Sequence, residues 1–313
     1  MAEEKTFRYH VTTGSFTLPV TSLLACVLWY FSREGGLQHW AGLIVVGVCA
    51  YIIAEWNNQN GLLRVRSRLM SATYLVLMAA FSFLHKWEVE TLSTVCLLLS
   101  YVALFMAYQK PMAQGEVFHA FLFLGLGSLF FPPLLLLAPF FCSAMLIQLR
   151  VLNWRTFMAG VFGLLLPYWF YAAWTLWQDC WQQEVLRWTE FFHPPLLDYS
   201  SLGEEKLVSA SVLAVLSLLS VAHFVRTSFN DKIRTRMLLY IIMVQEVVLV
   251  LMLVAWPAHF DTLMYLLVAN SCPFIAHYYA LARGRWMNAF FIVTTVFVAA
   301  LAVMNNLNLW RLL

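Results

Sequence analysis

Apolar runs of 14 to 22 residues recur along the whole chain, at 15–31, 37–54, 69–84, 91–108, 117–130, 134–149, 156–177, 207–224, 237–256, 262–282 and 287–305. Runs of this size suit a bilayer, where about 20 helical residues cross about 30 Å of hydrocarbon. Hydrocarbon offers no water to pair with N–H and C=O groups, so a spanning segment must close its hydrogen bonds on itself as a helix. The pattern predicts an all-α fold, a polytopic transmembrane helical bundle. The connectors are short, so 1–313 reads as a single integral membrane domain with no soluble domain.

Composition removes the alternative of a water-soluble fold. Hydrophobic residues make up 62% of the 313 and charged residues 11%, whereas a soluble domain carries about 25% charged residues. The 19 Lys and Arg against 16 Asp and Glu leave +3, too weak a balance to imply nucleic acid. Five of the six cysteines lie in apolar runs, and no C-x-x-C or Cys/His spacing occurs, so neither a metal nor a cofactor is indicated. The opening "MAEEKTFRYHVTTG" mixes acids with bases and reads as a tail rather than a secretory signal.

One stretch decides the sidedness of everything after it. In "GSLFFPPLLLLAPFF", Gly127–Phe141, two adjacent prolines interrupt an apolar segment that runs from Val117 to Leu149. Neither proline nitrogen can donate a hydrogen bond, and Pro133 drives Pro132 out of helical geometry. Lys and Arg resist translocation and mark cytoplasmic connectors. If the chain turns back at the prolines, fourteen Lys and Arg fall on the side of the N-terminus and five on the other. If 117–149 is one helix, the counts become nine and ten, and the bias vanishes. The charge therefore predicts a reversal, a cytoplasmic N-terminus and about 11 spans, or 9 spans plus a re-entrant hairpin at 117–149. The gathered basic residues include Lys5, Arg8, Arg64, Arg66, Arg68, Arg226, Lys232, Arg234, Arg236, Arg283 and Arg285. The longest segment on the other side, 178–206, is an outer-face interfacial segment. It carries an aromatic stripe at Trp181, Val185, Trp188 and Phe192, with Glu184, Arg187 and Glu190 elsewhere on the wheel.

Candidate functional residues are polar groups at membrane depth. Glu246 stands mid-way along 237–256 with Gln245 beside it. A carboxylate there costs about 3 kcal/mol, and the apolar residues of the same run offset it with roughly −4 to −7 kcal/mol. The helix inserts, and Glu246 must face a partner or a wet cavity. Asn270, at the level of Glu246 and followed by Ser271, Cys272 and Pro273, is the expected partner. Glu55, His119, Gln148, His223 and His277 cluster toward the cytoplasmic ends of their spans. Arg64 and Arg68, read as sharing one helical face, could grip a phosphate or anionic headgroup. The expected substrate-binding set is Glu246, Gln245, Asn270, His277, Arg64 and Arg68.

No GxSxG, HExxH, P-loop or paired-carboxylate spacing is present, so no enzyme class is selected. With "NNQNGLLRVRSRLMSATYLVL", "RVLNWRTFMAGVFGLLLPYW" and "CPFIAHYYALARGRW" around the proline stretch, the chain resembles a family of polytopic inner-membrane proteins of Bacteroidota. The resemblance implies a bacterial inner membrane and carries no catalytic residues. The favoured reading is a carrier or flippase-like protein for an anionic amphiphile or lipid-linked substrate entering from the cytoplasm. One alternative is a membrane-embedded transferase using Asp179, Glu184, Glu190 and Asp198. The other is a non-catalytic subunit or scaffold that meets a membrane protein partner through small residues at Gly125–Ser128.

Overall fold

The computed structural model describes residues 6–32, 37–65, 67–192, 199–200, 202–282, 284, 286–307 and 309–312. Lys5, Arg66, Asp198, Arg283 and Arg285, used in the reading above, lie outside the described residues. Among the described residues all regular structure is helical, with no strand. The α-helices are α1 (Phe7–Thr13), α2 (Thr17–Phe31), α3 (Leu37–Asn60), α4 (Leu69–Ala80), α5 (Leu92–Met106), α6 (Gln114–Phe130) and α7 (Ala138–Ile147). They continue with α8 (Trp154–Trp177), α9 (Trp181–Phe192), α10 (Glu204–Thr227), α11 (Ile233–Ala255), α12 (Phe260–Leu281) and α13 (Met287–Asn306).

Among the described residues six helices are long and apolar enough to cross a membrane: α3, the helix ending at Met106, α8, α10, α11 and α13. The sequence expectation of about 11 is thus met in part. Helix α2 joins the set only as a pair with α1, across a 92° bend. Helices α4, α6 and α7 are too short. Helix α12 has the length, but Asn270, Ser271 and His277 dilute its apolar content, and most of it is buried against protein rather than turned outward.

The framework divides into two compact units. The first comprises 1–88, 199–236 and 267–313, and the second 89–198 and 237–266, so α11 and α12 each contribute residues to both. In the second unit the chain does turn back at the prolines. Helix α6 stops at Phe130, a 3-10 turn spans Pro132–Leu137, and α7 follows. The Phe121 and Phe141 rings meet edge to face with centroids 6.1 Å apart. A straight helix would separate them by about 30 Å. The tip of this hairpin reaches the connector after α11, where Phe131 lies 5.7 Å from the His259 ring. At the opposite end the Gln109 amide donates to the Leu149 carbonyl, joining the connectors that follow α5 and α7. Both turns use a left-handed residue, Gln109 at φ 55° and Arg150 at φ 56°.

Glycine sets how closely α6 and α8 approach. A Cβ at Gly163 would stand 2.3 Å from the Phe118 carbonyl oxygen, and one at Gly125 would stand 2.7 Å from that of Leu164. Ser128 and Tyr168 add a hydrogen bond of 2.7 Å across the same seam. The small residues of Gly125–Ser128 therefore serve packing within the chain. They are not a surface presented to a partner, as the scaffold reading needed.

In the first unit, connectors segregate by end. The α2–α3 and α4–α5 connections meet where Trp29 Nε1 donates to the His39 carbonyl and the His85 ring stacks on Trp29 at 3.7 Å. Asn305 and Asn306 of α13 donate to the carbonyls of Ala80 and Ala79 at the same end. At the other end lie α1, the α3–α4 connector, the α10–α11 connector and the residues after α12.

Candidate ligand-binding site

The α3–α4 connector is irregular because its side chains bind backbone that a helix would use. Gly61 takes φ 59° and ends α3. Asn57 Oδ1 accepts from the Leu63 amide at 3.2 Å, and Asn57 Nδ2 donates to the Ser67 carbonyl at 3.1 Å. Ser67 Oγ donates to the Thr12 carbonyl and accepts from the Leu69 amide. Arg234 donates to Asn60 Oδ1 at 3.1 Å, and Thr235 donates to the Gly61 carbonyl at 3.2 Å. The connector is thereby tied to α1, α3 and the first turn of α11.

Held this way, Arg64 brings its Nε to 2.6 Å from Asp231 Oδ1. Asp231 follows the 3-10 turn Ser228–Asn230, and its side chain is 1% exposed. His277 of α12, with no exposed side-chain surface, places Nε2 at 3.1 Å from Oδ2 of the same carboxylate. A carboxylate can only accept, so His277 Nε2 carries the proton. Its Nδ1 has no hydrogen-bond partner among the described residues, nor does Nδ1 of His223, whose ring lies 6.0 Å away.

Beside this triad opens a cavity of about 980 Å³ within the first unit, lined by Arg8, Thr12, Thr13, Arg64, His223, Thr227 and Asn288 among others. Pockets of a few hundred to about 1,000 Å³ hold small ligands. The Arg8 amide donates to Asn288 Oδ1 at 3.1 Å, and its guanidinium donates to the Ala282 carbonyl. Arg8 meets no carboxylate among the described residues. The lining thus combines two guanidinium groups, one of them balanced by Asp231, with hydroxyl and amide groups. Such a set can hold an anion by charge-assisted hydrogen bonds.

Of the residues expected from sequence, Arg64 and His277 belong to this site. Arg68 does not share a face with Arg64, because 61–65 and 67–68 are not helical; Arg68 precedes α4 and is exposed. Asn270 lies two turns before His277 on the same side of α12, and is buried. Glu246 and Gln245 lie in the second unit, 4% and 0% exposed. There Glu246 acts electrostatically on the Tyr101 phenol, while the Gln245 amide has no hydrogen-bond partner among the described residues. The expected inner polar group also divides. Glu55, His223 and His277 fall in the first unit, and His119 and Gln148 in the second.

Sequence reasoning did not select Asp231, Arg8 or Asn288. Asp231 carried a usable signal, being the one acid among Arg226, Lys232, Arg234 and Arg236. Of the carboxylates named for a transferase, Asp198 and the Glu190 side chain lie outside what is described, and Asp179 is an exposed turn residue at φ 52°. Glu184 alone lines a cavity, between α8 and α9. Among the described residues no group of three or more His, Cys, Asp or Glu could hold a metal ion. No family model matches the chain, and neither a curated protein nor a solved structure matches it.

Proposed function

We propose that the chain is a multi-pass inner-membrane carrier, flippase-like in kind, that receives an anionic amphiphile or lipid-linked substrate through the Arg8–Arg64 cavity from the cytoplasmic side. The observation that carries this reading is the lining itself: two guanidinium groups, His223 and several Thr and Asn side chains around about 980 Å³. Asp231 neutralises Arg64 and fixes it through Nε. His277 takes the second carboxylate oxygen, Oδ2, at 3.1 Å. The Arg64 side chain is 36% exposed and lines the cavity, so its guanidinium can meet a ligand there. The basic connectors gathered around the cavity favour its placement on the cytoplasmic face. The resemblance to inner-membrane proteins of Bacteroidota points to the same membrane.

Glu246 enters as the proton-linked group of the cycle, because a buried carboxylate among apolar helices can change charge as the carrier turns over. The test is transbilayer movement of a fluorescent phosphatidic acid in proteoliposomes. Arg8→Ala and Arg64→Ala should each cut the rate about tenfold, the value of one charge-assisted contact. A double variant that moves the probe as fast as wild type would sink the carrier reading.

A further inference from the structure

We infer that the cleft between α8 and α9 binds the ammonium-bearing headgroup of a zwitterionic membrane phospholipid, a site separate from the anion cavity of the first unit. The second half of α8 exposes Trp169, Trp174 and Trp177, the last 84% exposed, which is the signature of a helix end at the membrane–water boundary. After the turn at Asp179, α9 folds back along α8. Cys180 donates its amide to the Thr175 carbonyl at 3.1 Å, and the Trp188 ring rests 5.4 Å from Tyr168 at 60°. Between the helices lies a cavity of about 650 Å³.

Its walls are mainly the aromatic side chains Tyr168, Tyr171, Trp181 and Trp188, and among the described residues Glu184 is the one acid or base that lines it. Glu184 lies three residues after Trp181 and four before Trp188, so a helix presents all three together. The reading that placed it away from the aromatic stripe is corrected by this geometry. Aromatic faces attract cations through their ring quadrupoles, and an aromatic cage is a recurrent receptor for substituted ammonium groups. A carboxylate in the same wall adds to that selectivity and repels an anionic headgroup. The occupant is a membrane lipid because the cleft opens at the depth of the Trp belt. From the level of Thr175 to that of Tyr168 it extends about 10 Å along α8, far enough to take the start of an acyl chain past Ala172.

Native mass spectrometry of the full chain in detergent tests this with equimolar phosphatidylethanolamine, phosphatidylcholine, phosphatidylglycerol and diacylglycerol. The two ammonium lipids should be retained about tenfold over the other two. Glu184→Gln should bring all four to parity while helicity is unchanged, and Trp188→Leu should weaken retention of the ammonium lipids. Equal retention of phosphatidylglycerol or diacylglycerol by the unaltered protein overturns the assignment, whether or not the variants fold. A Glu184→Gln protein that keeps the preference overturns it as well.

Discussion

His277 Nε2 stands 3.1 Å from Asp231 Oδ2, in a place where neither side chain reaches solvent. That pair joins α12 to the α10–α11 connector, and Arg64 extends it to the α3–α4 connector. Removing Asp231 leaves the buried His277 N–H without its acceptor, at a cost of about 1–3 kcal/mol. Asp231→Ala should therefore lower the thermal midpoint in detergent sharply. The combination of Asp231→Asn with His277→Gln should lose less than the sum of its single changes. Strict additivity would mean that the two residues do not act as a pair.

Glycine substitutions separate packing from propensity. Gly163→Ala places a methyl group against the Phe118 carbonyl and should destabilise the α6–α8 seam by about 1–3 kcal/mol. Gly47→Ala, inside α3 with nothing near its added methyl, should be neutral or gain up to about 1 kcal/mol. Thermal unfolding of the two variants side by side checks this, and equal losses would refute the close-approach argument.

His85 predicts an acid-sensitive fold. Burial, then the neighbouring His39, push its pKa from 6.5 down to about 3. At pH above 6.5 the residue is neutral in both states. As pH falls from 6.5 towards 3, the unfolded chain takes up a proton that the folded chain refuses, so stability falls by up to about 1.4 kcal/mol per pH unit. The melting temperature should drop between pH 7 and pH 5, and His85→Gln should flatten that drop. An unchanged slope in the variant would remove His85 as the cause.

Orientation is open to a direct check. A reporter fused after Arg236 should be active in the cytoplasm, and one fused after Trp177 should be active on the opposite side. Identical compartments for the two would refute the alternating order of the connectors. A periplasmic Arg236 would reverse the entry side of the anion cavity.

Sequence alone determined that the chain is all-helical and apolar enough for a membrane, and where it turns back, because the bilayer imposes a length and a closed hydrogen-bond pattern on every span and Lys and Arg bias the connectors. The reversal at Pro132–Pro133 was legible for that reason. Glu184 was misplaced from sequence: it was set away from the aromatic stripe, whereas it lines the α8–α9 cavity with Trp181 and Trp188. What only the tertiary structure decided are meetings between residues far apart in the chain. Arg64, Asp231 and His277 converge because the Asn57 and Ser67 hydrogen bonds stop a helix from forming and turn Arg64 away from Arg68. No periodicity encodes that, since side chains competing for backbone groups are settled only when the neighbouring helices bring Thr12, Arg234 and Asp231 alongside.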